Sequence, residues 1–124
     1  MTYTIDRMIS GVGIDDVDVR ARKALADHGF GVLTEIDVKA TMKKKLDVEM
    51  PAYRILGACN PKMAQQAIGI EPRVGAMPPC NVILREVEVS AIDPVASMQA
   101  IENAELTAVA GEVRDLLAKA VTAI

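Results

Sequence analysis

Aromatic side chains are scarce in this sequence: it has no tryptophan, one phenylalanine and two tyrosines in 124 residues. The core must therefore be filled by leucine, isoleucine, valine, alanine and methionine. Hydrophobic residues make up 51% of the chain and charged residues 25%, which excludes disorder and favours a packed core. A chain of this length is one ordinary domain, residues 1–124, and buries roughly two thirds of its unfolded surface.

The sequence also lacks a long apolar run. No window approaches the ~20 apolar residues that a membrane span needs. Asp6 and Arg7 interrupt the first apolar stretch, which is not typical of a secretion signal. The net charge of −3 argues against a nucleic-acid or anionic-membrane footprint. We therefore expect a cytoplasmic protein with reduced cysteines that binds neither nucleic acid nor membranes.

The motifs of several large enzyme classes are absent. The chain contains no phosphate loop and no GxSxG, HExxH or GxGxxG sequence. Its one histidine, His28, lies on the apolar side of a predicted helix, so a histidine-based triad would need a residue that points into the core. The sequence assigns neither an enzymatic activity nor a cofactor.

Hydrophobic periodicity predicts alternating strands and helices. Strands are predicted over residues 3–9, 30–36, 52–58 and 81–92. The last is either one long strand or, as we favour, two strands with a tight turn near Arg85 to Glu88. Helices are predicted over residues 15–28, from Asp37 with a stripe of Val38, Met42 and Leu46, from Asn60-Pro61, from Asp93-Pro94 and from Asn103. Because the strands alternate between apolar and polar residues, we predict a two-layer α+β sandwich with one covered sheet face. An open sheet face is often covered by dimerisation, so we expect a homodimer.

Four segments occur in an order that is specific to one family. They are FGVLTEIDVKAT (residues 30–41), RILGACNP (54–61), PCNV (79–82) and SAIDP (90–94). They closely resemble the bacterial and archaeal family known as domain of unknown function 302, over nearly the whole chain. The resemblance implies a TT1751-like α+β fold, with a mainly antiparallel sheet and helices on one face. Such a fold is related in shape to the TATA-binding-protein fold and is usually a dimer. It implies no activity, because the family has no settled one.

Two Cys-Asn pairs, Cys59-Asn60 and Cys80-Asn81, are the main candidate site residues. Each pair lies where an apolar run meets proline, so both thiols are predicted at strand ends, where α/β proteins often place their chemistry. Cys59 directly precedes a predicted helix cap, and the positive end of a helix lowers a thiol pKa. If the two strands are neighbours, both sulfur atoms converge at one end of the sheet. Tyr53 shares a strand face with Cys59 and is included as a polar wall of the same pocket.

The two cysteines are open to three interpretations. Free cysteines are most often small buried hydrophobes. They can also serve thiol redox chemistry or catalysis, with Cys59 as the nucleophile. Two thiolates are too few for a zinc site, but they can hold a soft monovalent ion such as Cu(I), or complete a four-thiolate site across a dimer.

From these alternatives we predict a homodimer that binds a small ligand at the Cys59/Cys80 end of the sheet. The predicted ligand-binding residues are Tyr53, Cys59, Asn60, Cys80 and Asn81, and no residue is assigned to a metal. A thiol-dependent redox or metal-binding protein that uses the same cysteines is the first alternative. A structural or interaction module without a ligand is the second. The expected partners are thus a second copy of the chain and a small molecule or soft metal ion.

Overall fold

A five-stranded antiparallel sheet forms the centre of the molecule, in a computed structural model that describes residues 3–76, 79–86 and 88–124. Its strands are Thr4–Met8 (β1), Gly31–Asp37 (β2), Tyr53–Cys59 (β3), Cys80–Arg85 (β4) and Glu88–Ile92 (β5). They lie side by side in the order β1-β5-β4-β3-β2. The helices are Ile14–Asp27 (α1), Val38–Leu46 (α2), Pro61–Ile70 (α3), Pro94–Ser97 (α4) and Ala104–Thr122 (α5), and residues 72–76 form a short 3-10 helix.

Polar side chains begin four of the helices, as the sequence predicts. The Asp37 carboxylate accepts a hydrogen bond from the Ala40 amide at 2.9 Å, at the start of α2. Asn60 begins α3, Asp93 begins α4 and Asn103 begins α5, each accepting from a backbone amide two or three residues later. Pro61 and Pro94 follow their caps directly, at the helical position where a missing N–H costs nothing. Local chemistry therefore fixes where these helices begin.

One face of the sheet carries the hydrophobic core. Alternate residues of the central strands, such as Leu56, Leu84 and Val89, are completely buried beneath α1 and α5. α1 contributes Val17 and Leu25 to this core. The last turns of α5 and the residue at the chain's end contribute Leu117, Ala120, Val121 and Ile124. The predicted α+β architecture with one covered sheet face is confirmed.

The chain reverses direction between β4 and β5. Leu84 lies opposite Val89 in the antiparallel register, so the turn falls between Arg85 and Glu88, as predicted. The side chains of Arg85 and Glu88 form an ion pair across this turn. Residue 87 of the turn lies outside the described residues.

The α2 helix packs differently from the other helices. It links β2 to β3, its neighbour in the sheet, and none of its residues is buried. The predicted stripe of Val38, Met42 and Leu46 is present, but Leu46 is 66% exposed. Amphipathic periodicity predicts which residues share a helix face, and here Val38 and Met42 on that face are half-buried, whereas Leu46 at its end is exposed.

None of the helices in the described part of the chain is both long and apolar enough to cross a membrane.

Candidate functional site

The register of β3 and β4 brings the two cysteines to one edge of the sheet. Cys80, the first residue of β4, lies opposite Ala58, and Cys59 is the next residue of β3. Cys59 and Cys80 thus lie at the same edge of the sheet on adjacent strands, and neither is in a disulfide. Because successive residues of a strand point to opposite faces, Cys80 shares the covered face with Ala58, while Cys59 ends β3 on the opposite side.

Both cysteines line one cavity on the helix-covered side of the sheet. The cavity has a volume of about 50 Å³ and lies between the ends of β3 and β4, α3 and the middle of α5. Small and apolar side chains form most of its wall: Ala58, Ala64, Ala67, Val74, Pro94, Val109, Ala110 and Val113 complete the lining. The small residues of α3 and α5 keep these helices from filling the space.

Four sulfur-containing residues belong to the lining of this cavity. Met63 on α3 and Met98 after α4 join Cys59 and Cys80 around it. Met63 is half-buried in the helix stripe that the sequence predicts, whereas no periodic pattern marks Met98. A methionine side chain is flexible and polarizable, so it adapts to what occupies a neighbouring space.

Asn60 is the one polar side chain in the lining besides the sulfur groups. Its Oδ1 atom accepts a hydrogen bond from the Met63 amide at 3.2 Å, which caps α3. Its amide nitrogen lies against Gly29, where a methyl group would be 3.2 Å from it. Gly29 has a positive φ of 86°, a conformation that glycine adopts at little cost. Asn60 is therefore held in place as a structural cap at the edge of the cavity.

Burial makes the Cys80 thiol harder to ionise than a free thiol. It raises the pKa of this thiol from 9.0 to about 11, with a smaller contribution from charge on Cys59. The second contribution reflects how near the two sulfur groups are to each other. Because the thiolate is the nucleophilic form, this environment argues against Cys80 as the attacking group of an enzyme.

Two of the predicted site residues lie away from the cavity. Tyr53 begins β3 and Cys59 ends it, so they are separated by roughly 20 Å at about 3.3 Å per residue. Tyr53 instead lines a groove on the other sheet face, together with Ile83 and Arg85. Asn81 lies opposite Gly57 and is exposed. The structure thus brings Cys59, Asn60 and Cys80 together and separates Tyr53 and Asn81 from them.

No group of three or more histidine, cysteine, aspartate or glutamate side chains comes together as a metal site within residues 3–76, 79–86 and 88–124. Of these ligand types, the cavity offers only its two cysteines. A zinc site built in the usual way needs more thiolates or imidazoles than that.

Comparison with known proteins identifies the family and the fold. The family model described as domain of unknown function DUF302 matches residues 7–124. The chain is also similar to a solved structure, the crystal structure of an uncharacterized conserved DUF302 protein from Bacillus stearothermophilus. The two have a TM-score of 0.91 and 21% sequence identity, over 98% of each chain, which shows a shared fold. A search of curated proteins found no match.

Proposed function

This chain belongs to the DUF302 family, whose function is unknown, and from its own geometry we propose that it is a small-ligand-binding domain. The binding site is the cavity at the Cys59/Cys80 end of the sheet. The observation that carries this proposal is one space, lined by both cysteines, between two strand ends and the small residues of α3 and α5. Concave, mostly apolar sites with a few distinctive groups are where proteins bind small ligands.

The cavity is poorly suited to water. Its volume of about 50 Å³ exceeds the ~10–15 Å³ of such space that one water molecule needs. A buried water also needs two to four polar partners, and this lining offers Asn60, whose Oδ1 already caps α3. An apolar or soft ligand buries its surface against this lining and so is better suited to the space.

The proposed assembly is a homodimer formed through the face of the sheet that the helices leave open. Met8 on β1 is 68% exposed and Ile36 on β2 is 49% exposed, while Leu46 of α2 is also exposed. These side chains lie away from the cavity, so a dimer built on them leaves the site accessible. An open sheet face and an unpartnered amphipathic helix are surfaces that a second copy of the chain can cover.

The free thiols suggest where this function operates. Both cysteines are unpaired, so we place the protein in a reducing compartment, the cytoplasm. Thiol chemistry at Cys59 is the second candidate function, because this residue directly precedes the cap of α3 and so lies near the positive end of that helix. The protonated state of Cys80 favours ligand binding over a redox pair.

Native mass spectrometry of protein purified from its own host tests the proposal. We expect a dimer of twice the 13.3 kDa chain, together with an additional bound mass. Ala64→Leu, which places a larger side chain in the cavity, should remove this mass. The matched control Ala108→Leu changes an exposed position of α5 and should retain it.

Two outcomes contradict the proposal. One is a wild-type protein that carries no bound mass. The other is a bound mass that survives in folded Ala64→Leu protein, because it would then lie outside this cavity. The first result favours a structural or interaction module, and the second places the ligand at another site.

A further inference from the structure

We propose that the ligand of the cavity is a short aliphatic molecule with an uncharged polar head group, which lies across the cavity and a neighbouring groove. This inference rests on the proposed function, because it names the class of ligand that the same cavity takes. The groove lies between the segment after α4 and the start of α5, and it has a volume of about 400 Å³.

Two residues line both the cavity and the groove. They are Met98, which follows α4, and Ala110 in α5. A residue that contacts two separate spaces stands between them, so these two residues form part of the dividing wall. Ala110 is buried and carries only a methyl group, whereas Met98 is half-buried and has a long, flexible side chain. Rotation of the Met98 side chain can therefore join the two spaces without movement of the backbone.

One face of α5 runs past both spaces and changes in polarity along its length. Asn103, the cap of α5, and Thr107 line the groove. Ala110 lines both spaces, and Val113 lines the cavity. These residues follow one another at intervals of three or four, so they share one side of the helix. A ligand that lies along this face meets hydrogen-bonding groups at one end and an apolar lining at the other.

The groove supplies hydrogen bonds but does not favour a charge of either sign. Gln99 and Asn103 carry amides, and the Thr107 hydroxyl, which donates to the Asn103 carbonyl at 3.0 Å, can also accept a hydrogen bond. Among the described residues, Glu102 is the one charged side chain that lines the groove, and it repels an anion. The positive end of α5 lies beside it and repels a cation. A hydroxyl or amide head group satisfies both conditions.

The sizes of the two spaces divide the ligand between them. The cavity, at about 50 Å³, holds one or two methyl or methylene groups if each is about as large as a water molecule, roughly 30 Å³. The groove, at about 400 Å³, falls within the roughly 300–1,000 Å³ that small-molecule sites occupy. The end of the aliphatic tail therefore lies in the cavity, and the rest of the molecule lies in the groove.

NMR titration of the full chain with 1-butanol, 1-pentanol and 1-hexanol, followed through the backbone amide chemical shifts, tests this binding mode. The affinity should rise by about fourfold for each added methylene group that the protein buries. Hexanoate and hexylammonium carry a charged head group on a similar tail, and neither should bind more tightly than 1-hexanol.

Two tryptophan variants test the groove. Ala104→Trp places a large ring in the groove at an exposed position, so the fold should persist. It should weaken 1-hexanol binding by at least about tenfold, because the ring displaces two or more methylene groups at about fourfold each. The matched control Ala108→Trp alters an exposed alanine of the same helix that lines neither space, and it should leave the affinity unchanged.

Three results overturn this binding mode. They are absence of binding by all three alcohols, equal affinity of the wild type and Ala104→Trp for 1-hexanol, and tighter binding of hexanoate or hexylammonium than of 1-hexanol. The proposed function fails separately. A bound molecule from the host that Ala64→Leu removes and Ala104→Trp retains overturns the extension into the groove and leaves the ligand-binding cavity in place.

Discussion

Leu56→Ala should lower the free energy of unfolding by about 2–5 kcal/mol, the range measured for large-to-small changes in packed cores. Leu56 has no solvent exposure and lies in the middle of β3, three residues before Cys59. It packs in the main core cluster, where the neighbouring elements can close only part of the space that its loss creates. Urea denaturation followed by circular dichroism measures the change.

The matched control for this substitution is Leu33→Ala. Leu33 lies on the adjacent strand β2 and is 70% exposed, so its truncation should change the free energy of unfolding by no more than about 0.5 kcal/mol. If the two variants lose similar free energies of unfolding, then Leu56 of β3 is not packed in the hydrophobic core, which would contradict the structure. The cavity depends on β3, because that strand supplies Ala58, Cys59 and the Asn60 cap of α3.

Alkaline pH should destabilise the fold through Cys80. Burial raises the pKa of its thiol from 9.0 to about 11 in the folded state, so the unfolded chain loses this proton first as pH rises. The stabilisation is therefore fully present below about pH 9 and is lost progressively between pH 9 and about 11. Two pKa units correspond to about 2–3 kcal/mol.

The Cys80→Ala variant isolates this effect from the other groups that titrate in the same range. The difference in unfolding free energy between wild type and Cys80→Ala should shrink by about 2–3 kcal/mol from pH 8 to pH 11. A difference that stays constant with pH would mean that the thiol ionises as easily in the folded protein as in the unfolded chain. Cys80 would then lie in water rather than against the cavity wall.

The local parts of the fold could be predicted from the sequence. Asp37, Asn60 and Asp93 each act as a helix cap, because a cap depends on the residue itself and the amides within the next turn. The strand pattern of residues 81–92 allows one long strand or two strands joined by a turn near Arg85 to Glu88, and the register shows the turn. Cys59 and Cys80 lie at one edge of the sheet because their strands are neighbours, a condition that the antiparallel register meets.

The rest of the site depends on contacts between distant parts of the chain. Strand alternation puts Tyr53 on the same face as Cys59, but Tyr53 begins β3 roughly 20 Å away at about 3.3 Å per residue and lines a groove on the open face. Met98 reaches the cavity because α4 packs against α5, a contact that no local pattern encodes. The packing of α2 could not be predicted either. The sequence shows its apolar face, but not which part of the protein that face contacts.

The most direct test of the central claim, that Cys59 and Cys80 face the same cavity, is titration with a trivalent arsenical such as phenylarsine oxide. One arsenic atom binds two sulfur atoms, so it is retained only where two thiols approach each other. The wild-type chain should retain one arsenical and lose both free thiols together, while Cys59→Ser and Cys80→Ser should each retain none after dialysis. Retention by either single variant, or failure of the wild type to retain the reagent, would show that the two thiols do not share a site.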